Sequence, residues 1–129
     1  MQVDQAARKD AKVLLVEDEP LLRVAMAELL EDAGFDVTVA CTGDEAVILL
    51  AEDDRFDALM TDIAMPGEIG GVELAAHARE IHPGLPVVFI SGQPETEVRS
   101  RAVGQPMAFF PKPYDVDRLL GVLGRMVRG

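Results

Sequence analysis

Side chains that could do chemistry follow four separate apolar stretches of this sequence. Asp62 ends one such run, shortly before a Pro-Gly turn. Glu17 and Asp18 follow a second run. Ser91 follows a third run, and Lys112 follows a fourth. If the four runs are parallel strands of one sheet, their carboxyl ends share an edge. The sequence then predicts that these side chains converge on Asp62.

Carboxylates gathered at one edge of a sheet repel one another. At an effective dielectric of about 20, two unit charges 4 Å apart cost roughly 4 kcal/mol, so a compensating charge is expected. The donors are all oxygen atoms, with no histidine or cysteine among them, which suits a hard divalent ion such as Mg²⁺. We therefore predict Asp18 and Asp62 as direct Mg²⁺ ligands and Glu17 as a ligand through water.

Lys112 has two interpretations. Alone, it would neutralise the acids in a structural ion pair, which is a common arrangement. Together with a carboxylate nucleophile, a metal ion and the hydroxyl of Ser91 beside the uncrowded Gly92, it would complete a pocket for a phosphoryl group. In that pocket Asp62 attacks phosphorus in line, and Lys112 and Ser91 hold phosphoryl oxygens.

The elements that must position these residues follow from the apolar pattern. Strands are predicted at residues 12–16, 36–40, 57–61, 86–90 and 107–110, separated by helical patterns, so the fold class is α/β. The second segment alternates polar and apolar residues, as edge strands do, whereas central strands are apolar throughout. Right-handed crossovers then favour a flavodoxin-like (βα)5 three-layer sandwich with a parallel sheet of order 2-1-3-4-5.

The helices have recognisable starts and apolar faces. Pro20 opens the first helix, where its missing N–H costs little, and Thr42 with Glu45 indicates a capping box at the start of the second. The segment 93–105 has a thin apolar face and predicts only a short helix near residues 95–103. The first helix is expected to bury one stripe of residues: Leu22, Met26, Leu29, Leu30 and Ala33.

Length and composition exclude several classes of protein. The 129 residues fit one domain, which we place at residues 12–129 after a loose N-terminal tail at residues 1–11. A net charge of −11 disfavours direct nucleic-acid binding, and no apolar run is long enough to cross a membrane. Cys41 is the only cysteine, which excludes a disulfide framework and favours a reducing cytoplasm; we expect it to be a small half-buried residue.

A set of short motifs strongly resembles the receiver domain of bacterial two-component response regulators. The motifs are Glu17-Asp18, Asp62 with Met65-Pro66, Ser91-Gly92 and Lys112-Pro113. The resemblance covers residues 12–128, and although each motif is weak alone, their order on the predicted strand ends is specific. It implies that the chain takes a phosphoryl group from a histidine kinase or a histidine phosphotransfer protein, with Mg²⁺ as cofactor.

The resemblance also implies a role for each matching position near the metal. Asp62 matches the phosphoacceptor, Asp18 matches the metal-binding acid, and Glu17 stands where the family has a second acid. Ala64 matches the position whose backbone carbonyl binds the metal. The family is a signalling family, so beyond phosphorylating and dephosphorylating itself with Mg²⁺ the chain is not expected to be an enzyme.

The remaining matches concern the conformational switch. Ser91 matches the hydroxyl residue that moves toward the phosphoryl group, and Lys112 matches the lysine that family members carry, usually before a cis proline. Phe109 falls where receivers place an aromatic residue that turns inward on activation, but plain packing of the last strand explains it equally well. The resemblance implies two conformers biased by phosphorylation, an unknown downstream protein target and a possible homodimer on phosphorylation.

Two segments depart from the family pattern. Between Pro66 and Val72 the loop is one residue longer than is common and lacks the usual aspartate, a variant that is similar to receivers associated with hybrid sensor kinases. Residues 103–106 replace the usual Gly-Ala pair before the last strand. The surface through which many receivers dimerise is therefore altered.

Two other functions use similar residues. A metal-dependent phosphohydrolase of the haloacid dehalogenase type also has an aspartate nucleophile, but it needs a second aspartate two residues later, where this chain has Ala64. A receiver-like binding module that is never phosphorylated would lack part of the pocket, and nothing essential is missing here. We expect either a single-domain regulator or a receiver excised from a larger protein.

Overall fold

The structure, a computed structural model, describes residues 11–53, 55–93 and 96–128. Five parallel strands form one sheet in the order β2-β1-β3-β4-β5, which confirms the predicted topology. The strands are β1 (Lys12–Val16), β2 (Asp36–Ala40), β3 (Ala58–Asp62), β4 (Val87–Ser91) and β5 (Met107–Pro111). Asp62 and Ser91 are thus the last residues of β3 and β4, one position nearer the sheet than predicted.

Four long helices and one short helix connect and flank the strands. They are α1 (Pro20–Asp32), α2 (Gly43–Glu52), α3 (Gly71–Ile81), the short α4 (Glu97–Ser100) with a 3-10 turn at Arg101–Val103, and α5 (Val116–Arg128). Half of the predicted capping box is present, because the Glu45 N–H donates to Thr42 Oγ1 at 3.0 Å. The Glu45 carboxylate accepts from the N–H of Cys41, one residue before the N-cap Thr42. The predicted start of the short helix at residue 95 lies outside the described residues.

The sheet separates two apolar clusters. One face packs against α2 and α3 through Leu14, Val16, Leu59, Val87, Phe89, Leu50, Leu74 and Ala78. The other face packs against α1 and α5 through Val13, Leu15, Met60, Val88, Ile90, Met26, Leu30, Leu119 and Leu123. Successive residues of β1, β3 and β4 point to opposite faces of the sheet, and the residues on both faces are buried. The continuous apolar composition of these central strands predicts this arrangement.

Two predictions of burial are wrong. On α1 only Met26 and Leu30 are buried, whereas Leu22 and Leu29 are 48% and 37% exposed and Ala33 is exposed as well. The helix packs mainly over the edge strand β2, so no further strand covers the outer half of the stripe. Cys41 is exposed rather than half-buried, since it directly follows that same edge strand.

One arginine links the chain segments at the amino-terminal ends of β4 and β5, which lie opposite to the predicted site. The Arg79 guanidinium, near the end of α3, donates to the carbonyl oxygens of Leu85 at 2.7 Å and Val103 at 2.8 Å, and also to those of Gly104 and Pro106. Burial lowers the pKa of Arg79. These bonds join the segment before β4 to the segment before β5.

Two further observations complete the fold. Of the predicted tail at residues 1–11 only Ala11 is described, and its carbonyl accepts from the Asp36 N–H at 2.8 Å. Within the described residues no helix has both the length and the apolar character needed to span a bilayer.

Candidate functional site

Strand alternation decides which side chains meet at the carboxyl edge of the sheet. Val13 and Leu15 of β1, and Ala58 and Met60 of β3, belong to the face covered by α1 and α5. Continuing the two-residue period places Glu17 and Asp62 on that same face. The period from Ala108 and Phe110 of β5 places Lys112 there as well.

The predicted acidic cluster is present. Carboxylate oxygens of Glu17, Asp18 and Asp62 all lie within 4.8 Å of one another. Glu17 and Asp62 are buried, and Asp18 is more open to solvent. Three hard oxygen donors at one solvent-accessible point fit Mg²⁺, which keeps some of its water when proteins bind it.

Lys112 lies against this cluster without neutralising it. Its Nζ donates to Asp62 Oδ2 at 2.9 Å and lies 3.9 Å from Glu17 Oε1. Burial lowers the pKa of Lys112, but the ion pairs with Asp62 and Glu17 outweigh that effect and leave the pKa raised. One lysine cannot balance the negative charge that three carboxyl groups can carry, and a divalent cation would balance the rest.

The backbone around Glu17 is fixed by contacts that the sequence did not reveal. Glu17 Oε2 accepts from the Glu19 N–H at 3.0 Å, and Arg23 donates to the Glu17 carbonyl at 2.9 Å. Burial raises the pKa of Glu17; the Glu19 hydrogen bond opposes this, and the charge of Asp62 adds to it. Arg23, one turn into α1, is a positioning residue whose only sequence signal is a cation six residues after Glu17.

Gly71 is a second residue that sequence reasoning missed. Its N–H donates to the Ile63 carbonyl at 2.9 Å. A Cβ at this position would lie 2.2 Å from the Asp62 carbonyl oxygen and 2.8 Å from Ile63 Cα. The start of α3 therefore packs directly on the backbone of the proposed nucleophile, and the adjacent Gly70-Gly71 pair was the signal for this close approach.

The structure places Ser91 differently from the other predicted site residues. Val87 and Phe89 of β4 belong to the face covered by α2 and α3, so the alternation puts Ser91 on the opposite face from Asp62. The Ser91 side chain is fully buried, and its hydroxyl bonds to Gln93 and Thr96. Its predicted contact with a phosphoryl group stays a prediction.

Three other predicted positions have defined surroundings. Ala64 is exposed in the loop after Asp62, and its metal contact stays a prediction. Phe109 is half-buried, lies in register with Phe89 and packs on the α2 and α3 face, so core packing and a switch role both remain open. The Lys112-Pro113 peptide bond is cis.

A cleft of about 290 Å³ opens beside the carboxylates. Its polar end is formed by Glu17, Asp62 and Lys112. Its walls are mostly apolar and come from β1, α1, β4 and the segment that leads into α5: Leu15, Val16, Leu22, Met26, Ile90, Pro113, Tyr114 and Val116. Burial raises the pKa of the Tyr114 hydroxyl. The cleft lies between α1 and the start of α5 and leads to the acidic cluster.

The proteins that are similar to this chain include a response regulator and a sensor kinase. A response regulator receiver protein of Anaeromyxobacter sp. (strain Fw109-5) is 37% identical over 110 residues, which cover 84% of this chain and 45% of that protein. The sensor kinase CckA of Brucella abortus (strain 2308) is 32% identical over 119 residues, which cover 91% of this chain and 12% of that protein. The chain thus spans less than half the length of these two curated relatives.

A solved structure agrees with the sequence relatives. The response regulator receiver protein from Sinorhizobium medicae WSM419 superimposes with a TM-score of 0.84 at 30% identity, covering 92% of this chain and 95% of that one. The family description "Response regulator receiver domain" matches residues 13–123, which include all the strand ends described above. The chain therefore belongs to the response regulator receiver domain family of two-component phosphorelay signalling.

Proposed function

We propose that this chain accepts a phosphoryl group on Asp62 from the phosphohistidine of a histidine kinase or a histidine phosphotransfer protein. The observation that carries the proposal is the contact of a buried carboxylate with a lysine, 2.9 Å apart, inside an acidic cluster at the mouth of an open cleft. An isolated structural ion pair would need neither the excess carboxylates nor the cleft.

Members of this family bind Mg²⁺ through acidic residues, and this chain has the donors to do so. We assign Asp18 and Asp62 as direct ligands, Glu17 as a ligand through water and the Ala64 carbonyl as a further ligand. The support is the spacing of the three carboxylates, within 4.8 Å of one another, and their all-oxygen chemistry. When bound, the ion supplies positive charge to the oxygens of the transferring phosphoryl group.

Each residue then has a defined task. An Asp62 carboxylate oxygen forms a bond to phosphorus as the bond from phosphorus to the histidine nitrogen breaks, and the imidazole leaves. Lys112 must exchange its ion pair with Asp62 for a contact with a phosphoryl oxygen, which keeps its charge beside the same carboxyl group. Ser91 holds another phosphoryl oxygen after its hydroxyl has moved.

The apolar walls of the cleft suit the approach of a donor protein. The donor histidine must enter between α1 and the start of α5, where Leu22 and Tyr114 line the way to Asp62. Leu21 and Val24 on the same helix are 79% and 55% exposed. Receiver domains bind histidine kinases, and we propose that this apolar rim contacts the kinase or phosphotransfer protein, in the cytoplasm, before transfer.

The output is proposed to be a protein contact. Phosphorylation would bias two conformers through Ser91, and Phe109 would report the change to a downstream target or a second copy of the chain. The receiver unit is placed at residues 12–129, and its relatives include longer proteins in which the receiver is one part.

The two other candidate functions have no observation in their favour. A phosphohydrolase of the haloacid dehalogenase type would need a general acid where the exposed Ala64 lies. A receiver-like module that is never phosphorylated would not need the lysine and three carboxylates that are gathered here.

The decisive experiment is phosphorylation of the purified protein by acetyl phosphate with Mg²⁺. We expect the intact mass to rise by one phosphoryl group in the wild type and not in Asp62→Asn. Asp57→Asn is a matched control, since Asp57 is an exposed aspartate just before β3. Among the described residues its carboxylate accepts only from the Lys12 N–H. Incorporation that persists in Asp62→Asn would overturn the assignment of Asp62.

A further inference from the structure

The Ser91 hydroxyl belongs to a small buried hydrogen-bond cluster. Ser91 Oγ lies 2.9 Å from Thr96 Oγ1 and 3.2 Å from the Gln93 carbonyl oxygen, and Thr96 Oγ1 lies 2.6 Å from that same carbonyl. The Gln93 N–H donates to Ser91 Oγ at 3.0 Å. Ser91 is fully buried, and Thr96 is only 3% exposed, so water does not compete for these groups.

The hydrogen bonds of this cluster direct the Ser91 hydroxyl away from Asp62. Thr96 Oγ1 can donate to Ser91 Oγ or to the Gln93 carbonyl oxygen, and Ser91 Oγ can donate to that same carbonyl oxygen. The Gln93 N–H occupies one lone pair of Ser91 Oγ. Because Ser91 continues the side of Val87 and Phe89, these contacts hold its hydroxyl on the face of the sheet opposite to Asp62.

We propose that Thr96 is a positioning residue that holds the Ser91 hydroxyl away from the phosphorylation site, so that phosphorylation must break the bond between Ser91 and Thr96. This inference rests on the proposed function. Thr96 therefore opposes activation: each phosphorylated molecule gives up a buried hydrogen bond before Ser91 can bind a phosphoryl oxygen.

Thr96 also connects Ser91 to the next helix. It is the residue directly before α4 (Glu97–Ser100). Thr96 is buried, whereas Arg99 on that helix is exposed. Loss of the bond to Ser91 removes a contact that fixes the beginning of α4. The same bond thus affects both the free energy needed to move the Ser91 hydroxyl and the position of α4.

The test measures the affinity for beryllofluoride, a stable mimic of the phosphoryl group, in the presence of saturating Mg²⁺. A hydrogen bond of this kind changes an equilibrium by about three- to tenfold. We expect Thr96→Val, which keeps the shape but removes the hydroxyl, to bind beryllofluoride about three- to tenfold more tightly than the wild type. Thr96→Ser should restore the wild-type affinity, which a purely structural role would not predict.

Two control experiments isolate the effect of the bond between Ser91 and Thr96 on beryllofluoride affinity. In Ser91→Ala the Thr96→Val substitution should have no further effect on beryllofluoride affinity, because the bond is already absent. Ser100→Ala removes another fully buried hydroxyl from the same short segment, one that donates to the Glu97 carbonyl and not to Ser91. It should leave the affinity unchanged.

The outcomes separate the two proposals. Equal affinity of Thr96→Val and the wild type, or an equal gain in the Ser91→Ala background, would overturn the role of Thr96 alone. Failure of the wild type to bind beryllofluoride would overturn the proposed function, and the role of Thr96 with it. If Thr96→Val does not fold, as judged by its thermal unfolding, Thr96→Ala takes its place in the same comparison.

Discussion

Lys112 contacts one carboxylate at 2.9 Å and another at 3.9 Å, yet the cluster retains excess negative charge. The spacing of these residues along the sequence predicted that they would meet, because each follows an apolar strand in a parallel sheet. It did not predict that the Ser91 side chain would point to the other face of the sheet. The two-residue period of β4 contained this information, since Ser91 continues the side of Val87 and Phe89.

The burial of Glu17 leads to a prediction about pH. Burial raises the pKa of Glu17 above the ordinary value for a glutamate, and metal binding requires the carboxylate to be ionised. Protons therefore compete with Mg²⁺ at a higher pH than at an ordinary glutamate. We expect Mg²⁺ affinity, measured by calorimetry, to fall as the pH is lowered from 7 toward 5, approaching about tenfold per pH unit below the raised pKa.

Glu17→Gln provides the control for this prediction. The variant should bind Mg²⁺ more weakly than the wild type at pH 7, and its affinity should change less between pH 7 and pH 5. An equally steep pH dependence in Glu17→Gln would assign the titration to another group and contradict the prediction.

At the scale of elements, glycines decide how closely the starts of two helices approach the backbone of β3 and of the loop that follows it. Gly43 at the start of α2 faces the Ile69 backbone, where a Cβ would lie 2.4 Å from the carbonyl oxygen, and Gly71 faces Asp62 itself. The strands, the long helices and both predicted helix starts could be found from sequence periodicity. These contacts could not, because they join residues from different elements, and neither could the bond from Ser91 to Thr96, which depends on the shape of the turn between them.

Gly71→Ala tests the close approach of α3. The added methyl group must displace the Asp62 backbone, and such overpacking costs about 1–3 kcal/mol. We expect a loss of this size in the free energy of unfolding, measured by urea denaturation, and slower phosphorylation of Asp62 by acetyl phosphate.

Gly121→Ala is the matched substitution within a helix. Gly121 is exposed on α5, and an added Cβ meets only the end of the flexible Arg125 side chain at 3.6 Å. It should stabilise the protein by about 0.5–1 kcal/mol, because alanine favours a helix over glycine. If both substitutions changed stability in the same direction, the close packing at Gly71 would not be the cause.

At the scale of the whole molecule, the sheet divides the apolar interior into two clusters that share no side chain. The continuous apolar composition of the central strands predicted a sheet covered on both faces. The exposure of half of the apolar stripe of α1 was not predicted, because it depends on the position of β2 at the edge of the sheet.

Val13→Ala and Val87→Ala test the independence of the two clusters. Both valines are fully buried, Val13 on the face of α1 and α5 and Val87 on the face of α2 and α3. Each substitution should cost about 2 kcal/mol of unfolding free energy, from two lost methyl groups and the cavity that they leave. The double variant should show the sum within about 0.5 kcal/mol. Larger deviation in urea denaturation would mean that the faces are coupled through the sheet.

The bonds of Arg79 have a consequence for motion. Because one guanidinium holds carbonyl oxygens before both β4 and β5, the far end of the segment that contains α4 is anchored to α3. A displacement that begins at Thr96 cannot slide this segment as a whole. It must instead tilt α4 about the anchored end, so the largest movement would occur at the end of the helix that lies nearest to Asp62.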